Sequence, residues 1–106
     1  MVIYEVTTTV ATDAVTAYEA YMRDRHIGDV LATGCFVSAS IACSLPGRYR
    51  ISYVARDLDI LDEYLATHAN QLRNDLALHL GDKVEVSREV WTELQTWTAG
   101  SDRPTT

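Results

Sequence analysis

Residues 48–65 read RYRISYVARDLDILDEYL, and the fold is decided within them. The first half alternates. Tyr49, Ile51, Tyr53 and Ala55 fall on one side; Arg48, Arg50, Ser52 and Val54 fall on the other. A period of two is a strand with one covered face. At Asp57 the period changes. Leu58, Leu61, Leu65, His68, Leu72 and Leu76 recur at three- and four-residue steps, the stripe of an amphipathic helix. Asp57 is placed to cap that helix, and Asp59, Asp62 and Glu63 sit in its first turns, where the helix dipole favours negative charge. Gly81 closes the helical region.

Upstream, Leu45-Pro46-Gly47 marks a hairpin turn, so a second strand is expected over Cys35–Ser44. The chain opens on another alternating run, Val2 to Val10, with Val2, Tyr4, Val6 and Val10 on one side and Ile3, Glu5, Thr7 and Thr9 on the other. Thr12 or Asp13 can cap the helix that follows, whose face is Ala11, Val15, Tyr18, Met22 and His26. Arg23, Asp24 and Arg25 crowd its expected end, and Gly28 and Gly34 bracket a turn and a loop. Downstream, Lys83 to Leu94 reads as the last strand, with Val84, Val86, Val90 and Leu94 on one face.

The order β-α-β-β-α-β predicts an α+β, ferredoxin-like fold: a four-stranded antiparallel sheet with two helices on one face and the first and third strands at its centre. One domain is expected over residues 1–96, with a flexible polar tail over 97–106. The uncovered sheet face carries Ile3, Val54 and Trp91 mixed with Glu5, Arg50, Glu85 and Glu89. That mixture suits a second sheet packed on it, and Glu5 and Arg50 can pair across the central strands or across a dimer. A homodimer through sheet faces is therefore expected.

Composition removes several function classes. The 106 residues hold 15 acidic and 9 basic side chains, a net charge of −6. This opposes nucleic acid as a partner and opposes a polybasic membrane anchor. No apolar run reaches the roughly 18 residues of a membrane span, and MVIYEVTTTV lacks the pattern of a signal peptide. A cytoplasmic location is the expectation. Cys35 and Cys43, if on one strand, stand roughly 26 Å apart at about 3.3 Å per residue, too far to bridge. No zinc spacing, phosphate loop, dinucleotide fingerprint or GxSxG motif is present.

Four stretches together resemble a known family: VIYEVTTTV (2–10), AYMRDRHIGDVLATGCF (20–36), YRISYV (49–54) and EYLATHANQLRNDLALHLGDKVEVSREV (63–90). It is a set of small bacterial proteins of unknown function, related in fold to dimeric α/β-barrel proteins such as the antibiotic-biosynthesis monooxygenases. Gly28, Asn70 and Leu80 stand where that family has Pro, Pro and Phe. The resemblance implies a fold and a pocket between helices and sheet; it implies no particular reaction.

The stripes name the side chains aimed at such a pocket: Tyr18, Met22 and His26 from the first helix, Leu61, Leu65, His68 and Leu72 from the second, and Tyr4, Tyr49 and Tyr53 from the central strands. The expected ligand-binding set is Tyr4, Tyr18, Met22, His26, Tyr53 and His68. Such an apolar lining with polar tips suits a small apolar or aromatic ligand. His26, placed by the pattern near a helix end, is the candidate catalytic base. His26, His68 and Glu19 would suffice in kind for a metal, and either histidine for haem, but no spacing selects them, so no metal or cofactor is called for. Arg88 shares strand parity with Val84, Val86 and Val90, which implies either an acidic partner in a dimer or an anionic ligand. Three readings follow. The first is a homodimeric small-molecule-binding domain. The second is a cofactor-independent monooxygenase- or isomerase-like enzyme on an aromatic substrate. The third is a structural or regulatory interaction module without a ligand. Ligand sites usually enclose roughly 300 Å³ or more, so a cavity below about 100 Å³ is expected to overturn the first two.

Overall fold

The structure, a computed structural model, describes residues 1–100. Four strands, β1 (Val2–Val10), β2 (Ser38–Leu45), β3 (Arg48–Ala55) and β4 (Val84–Thr92), form one antiparallel sheet in the order β2-β3-β1-β4. The core lies between one face of this sheet and the helices. Val2, Tyr4, Val10, Tyr49, Ile51, Tyr53 and Ala55 enter it from the strands, and Tyr18, Met22, Val30, Leu61 and Tyr64 from the helices. The alternation of β1 and β3 thus becomes a buried face of large rings. The α+β, ferredoxin-like architecture follows.

The first helical run departs from the expected one at both ends. It begins with a 3-10 turn, Thr12–Ala14, that has no side-chain cap. Asp13 turns instead to Lys83, whose Nζ lies 2.9 Å from its carboxylate, and the Ala11 amide donates to the Lys83 carbonyl at 2.8 Å. The run continues as α1 (Val15–Tyr21), a π-helical stretch Met22–His26, and α2 (Ile27–Ala32). The helix does not end at His26. Gly28 lies inside α2, and the stop comes at Gly34, which takes a positive φ of 78°. Thr33 Oγ1 donates to the Val30 carbonyl there. A glycine inside a helix costs about 1 kcal/mol relative to alanine. Burial of Val30 beyond it offsets that cost. Ala14, Tyr18, Met22, His26 and Val30 form a buried line with a strict spacing of four. β2 starts at Ser38 and not at Cys35, because residues 35–37 cross from the helix to the sheet and seat Phe36 in the core.

The second helical run is also broken. α3 (Leu58–Thr67) starts as expected, with Asp57 accepting from the Ile60 amide at 2.9 Å. It ends at His68, where φ is −118°, and α4 (Ala69–Leu80) continues. Thr67 Oγ1 donates to the Glu63 carbonyl just before the break, a back-bond that bends helices. The expected single leucine stripe is therefore split. Leu58 is half exposed, while Tyr64 and Ala69 take buried positions. β4 stops at Thr92, so Leu94, expected on its inner face, lies beyond the strand and is exposed. Residues 93–100 have no regular secondary structure, and residues 101–106 of the expected flexible tail lie outside the described residues. Glu5 and Arg50 make no ion pair among the described residues, because the register sets Glu5 against Ser52 and Arg50 against Thr7. Cys35 and Cys43 are free. No described helix is long and apolar enough to cross a membrane.

Gly47 closes the β2–β3 hairpin with a φ of +87°, and a Cβ there would stand 2.9 Å from the Val10 carbonyl oxygen. Its carbonyl matters too, because it accepts from the Val10 amide at 2.7 Å. Gly47→Ala should destabilise the fold by about 2 kcal/mol in urea titration, from backbone strain and this clash together.

Candidate functional site

The side chains that β1 and α1 present to each other surround a cavity between helices and sheet. Tyr4, Thr8, Tyr18, Met22, His26 and Tyr53 line it, together with Tyr64, Leu72, Arg73 and Leu76 from α3 and α4, and Val86 and Arg88 from β4. Five of the six residues expected to bind ligand thus share one wall: Tyr4, Tyr18, Met22, His26 and Tyr53. His68 does not join them. The break between α3 and α4 turns it into a surface groove with Asp29, Thr33, Gln71 and Asp75, where its ring packs on Tyr64. Tyr49 is also elsewhere, donating its hydroxyl to Glu19. His26, His68 and Glu19 are not brought together, and no group of three metal-ligating side chains occurs among the described residues.

The pattern of residues missed Tyr64, Arg73 and Arg88 as parts of this wall. Tyr64 is hidden in sequence by the neighbouring Leu65, which fits a regular stripe better than Tyr64 does until the break at His68 is known. Arg88 did leave a signal in its strand parity. The register confirms its side: Arg88 stands opposite Val6, between Val86 and Val90, on the face turned to the helices. Arg73 reaches from α4 to donate to the Tyr4 hydroxyl at 3.0 Å.

His26 sits inside the continuous helical run and not at its end, so the dipole at a helix terminus does not act on it. Burial governs it instead. Its pKa is lowered from 6.5 by desolvation, against the opposing pull of Asp29 and Asp75. The neutral ring is the form this environment favours. His26 Nδ1 is buried and has no hydrogen-bond partner among the described residues. The Tyr21 hydroxyl, on a ring 5.7 Å from that of His26, is likewise buried without one. Other tyrosines are better satisfied. Tyr18 is fully buried, and its hydroxyl is 2.8 Å from Thr8 Oγ1. Burial raises the Tyr53 pKa and pushes that of Tyr64 up to about 12, so both remain neutral phenols at physiological pH.

The cavity volume is about 40 Å³, below the size that the two ligand readings require. In this conformation it admits a molecule of water size and no organic ligand. A groove of about 110 Å³ between α4 and β4 adjoins it and shares Arg73, Leu76, Val86 and Arg88 with it.

The fold defines a class, the ferredoxin-like α+β domains, whose solved structures include proteins described as antibiotic biosynthesis monooxygenases. Within it, the chain belongs to a family described as a domain of unknown function (DUF4286), whose model matches residues 1–96. No curated protein matches the sequence. Among solved structures it is similar to a Deinococcus radiodurans protein assigned by inference as an antibiotic biosynthesis monooxygenase, at 19% identity and a TM-score of 0.67, over 95% of this chain and 100% of that one. It is similar to SnoaB, a cofactor-independent oxygenase from Streptomyces nogalater, at 19% identity and a TM-score of 0.66, over 90% and 94%. It is also similar to Rv0793 from Mycobacterium tuberculosis, at 19% identity and a TM-score of 0.63, over 92% and 100%. Identities this low establish the shared fold.

The environment of His26 sets a pH dependence. The unfolded chain binds a proton at His26 below pH 6.5, while the folded chain resists it. Stability contributed by the neutral ring is complete above that value and falls as the pH drops through it toward the lower folded pKa. Thermal melts from about pH 8 to about pH 5 should show the midpoint falling on the acid side, and His26→Leu should flatten that fall.

Proposed function

We propose that the protein is a small-molecule-binding domain that receives its ligand between the helices and the sheet, through the groove between α4 and β4. The observation that carries the reading is His26. A buried, neutral ring with an unpartnered Nδ1 lines an otherwise apolar cavity bordered by phenols. An unsatisfied buried polar atom costs about 1–3 kcal/mol, and a bound donor removes that cost. Because the cavity is small, binding requires α4 to move outward. This helix hangs from the break at His68 and only Ala69 and Leu80 in it are buried, so the motion has to release polar ties more than core contacts: the Arg73–Tyr4 hydrogen bond and the contacts of His79 with Arg25 and Tyr21. A panel of small aromatic compounds should raise the melting temperature, and a saturating binder at 100 times its Kd adds about 2.7 kcal/mol. Amide shifts should centre on Leu72, Leu76 and Val86. Leu76→Trp, which fills the groove, should abolish the effect in a folded protein. Failure of every compound would favour the interaction-module reading.

An enzymatic version has its own support. His26 is neutral near pH 7 and offers a free ring nitrogen beside the cavity, as a general base requires. The likeness to SnoaB, a cofactor-independent oxygenase, favours looking for oxygen-dependent turnover of a phenolic or polyketide-like substrate without added cofactor. His26→Gln should retain binding and lose turnover.

The uncovered sheet face supports a homodimer. Val54, Ile3 and Trp91 form one apolar row across three strands. In the next row Glu5 stands directly against Glu89, a like-charge pair that is unfavourable alone and is relieved by cations such as Arg48 and Arg50 from a second copy. Light scattering at micromolar concentration should give twice the chain mass, and Trp91→Glu should give the monomer. The two free cysteines suit a reducing compartment, which supports a cytoplasmic location.

A further inference from the structure

We infer that the ligand is an organic acid whose carboxylate is held by Arg73 and Arg88 at the mouth of the cavity, with its apolar body directed toward Tyr4, Tyr64 and His26. This rests on the binding reading above and names the chemistry of that same site.

Arg88 is the first ground. Strand alternation sends Glu85 and Glu89, its acidic neighbours on β4, to the opposite sheet face, so neither reaches it. Arg88 is left on the helix-facing side, between Val86 and Val90. Arg73 is the second. It comes from a different element, α4, and borders both the cavity and the adjoining groove, as Arg88 does. Its Nη2 is anchored on the Tyr4 hydroxyl at 3.0 Å, which orients the guanidinium at the cavity wall.

Charge balance is the third ground. Acidic residues outnumber basic ones by 15 to 9, yet neither arginine forms an ion pair among the described residues. The pairs that do form, Arg25 with Asp29 and Lys83 with Asp13, lie elsewhere. Two guanidiniums on the rim of one apolar cavity repel each other, and a carboxylate between them converts that repulsion into two attractions. Guanidinium is the cation best matched to a planar carboxylate, through paired N–H donors. Beyond the arginines the wall is phenol and hydrocarbon with one neutral imidazole, His26, and one hydroxyl, Thr8, so an aromatic or aliphatic tail fits and a second charge does not.

The test uses the full chain with benzoate, benzamide and benzylamine, which share a ring and differ in charge, in NMR titrations at low salt. Benzoate should bind at least ~10-fold more tightly than benzamide, benzylamine should bind weakest, and added salt should weaken benzoate alone. Arg88→Gln and Arg73→Gln should each reduce benzoate affinity about 10-fold and lower benzamide affinity far less, while Arg88→Lys should keep part of the preference. Should a glutamine variant fail to fold, the benzoate-to-benzamide ratio of the unaltered protein decides the matter. Equal affinity for benzoate and benzamide overturns the inference and leaves the binding reading standing. So does undiminished benzoate binding by both glutamine variants. No binding of any of the three compounds overturns both readings.

Discussion

β1 is hydrogen-bonded along both of its edges, to β3 on one side and to β4 on the other, and this double pairing fixes the sidedness of the whole sheet. Once Tyr4, Val6 and Thr8 face the helices, the register leaves no freedom to their partners. Tyr53, Ile51 and Tyr49 must face the same way on β3, and Val90, Arg88 and Val86 must do so on β4. A slip by one residue would turn every one of these side chains over. The core, the cavity wall and the placement of Arg88 are therefore consequences of one strand's alignment.

Much of this was legible in the sequence, because the informative signals were periodicities and the structure obeys them wherever both faces of an element differ. Tyr49, Ile51 and Tyr53 are buried as their alternation requires, and the cap at Asp57 forms the expected bond. The errors came where one residue type carries two meanings. Gly28 and Gly34 are both acceptable helix stops, and only the burial of Val30 shows that the chain continues through the first and ends at the second. Thr67 gave no warning that the second helix would break after it. That break removed His68 from the cavity and brought in Tyr64. The site was thus half readable: strand residues were placed by parity, and the helical ones depended on a bend with no strong local signature.

The aromatic wall combines rigidity with restraint. Phe36 packs between Tyr53 and Tyr64, with ring centroids 5.3 and 4.8 Å away, and Tyr4 joins the same cluster. Contacts of this kind add about 0.5–1.5 kcal/mol each beyond the area they bury. They hold the sheet side of the cavity fixed, while α4 carries mainly half-buried side chains on the opposite side. Any opening is therefore asymmetric: a stiff phenolic floor under a looser helical roof.

The position of β4 also has a kinetic consequence. The strand that completes the pairing of β1 is the last of the four in chain order. Until residues 84–92 emerge, β1, one of the two central strands of the finished sheet, is an open edge, with Ile3, Tyr4 and Val6 along it. An unprotected edge of this kind is a template for pairing with other nascent chains. The Ala11–Lys83 hydrogen bond and the Asp13–Lys83 ion pair sit where β4 begins, joining the start of that strand to the turn that follows β1. They clasp β4 to β1 at the end of the sheet where the covering of that edge begins.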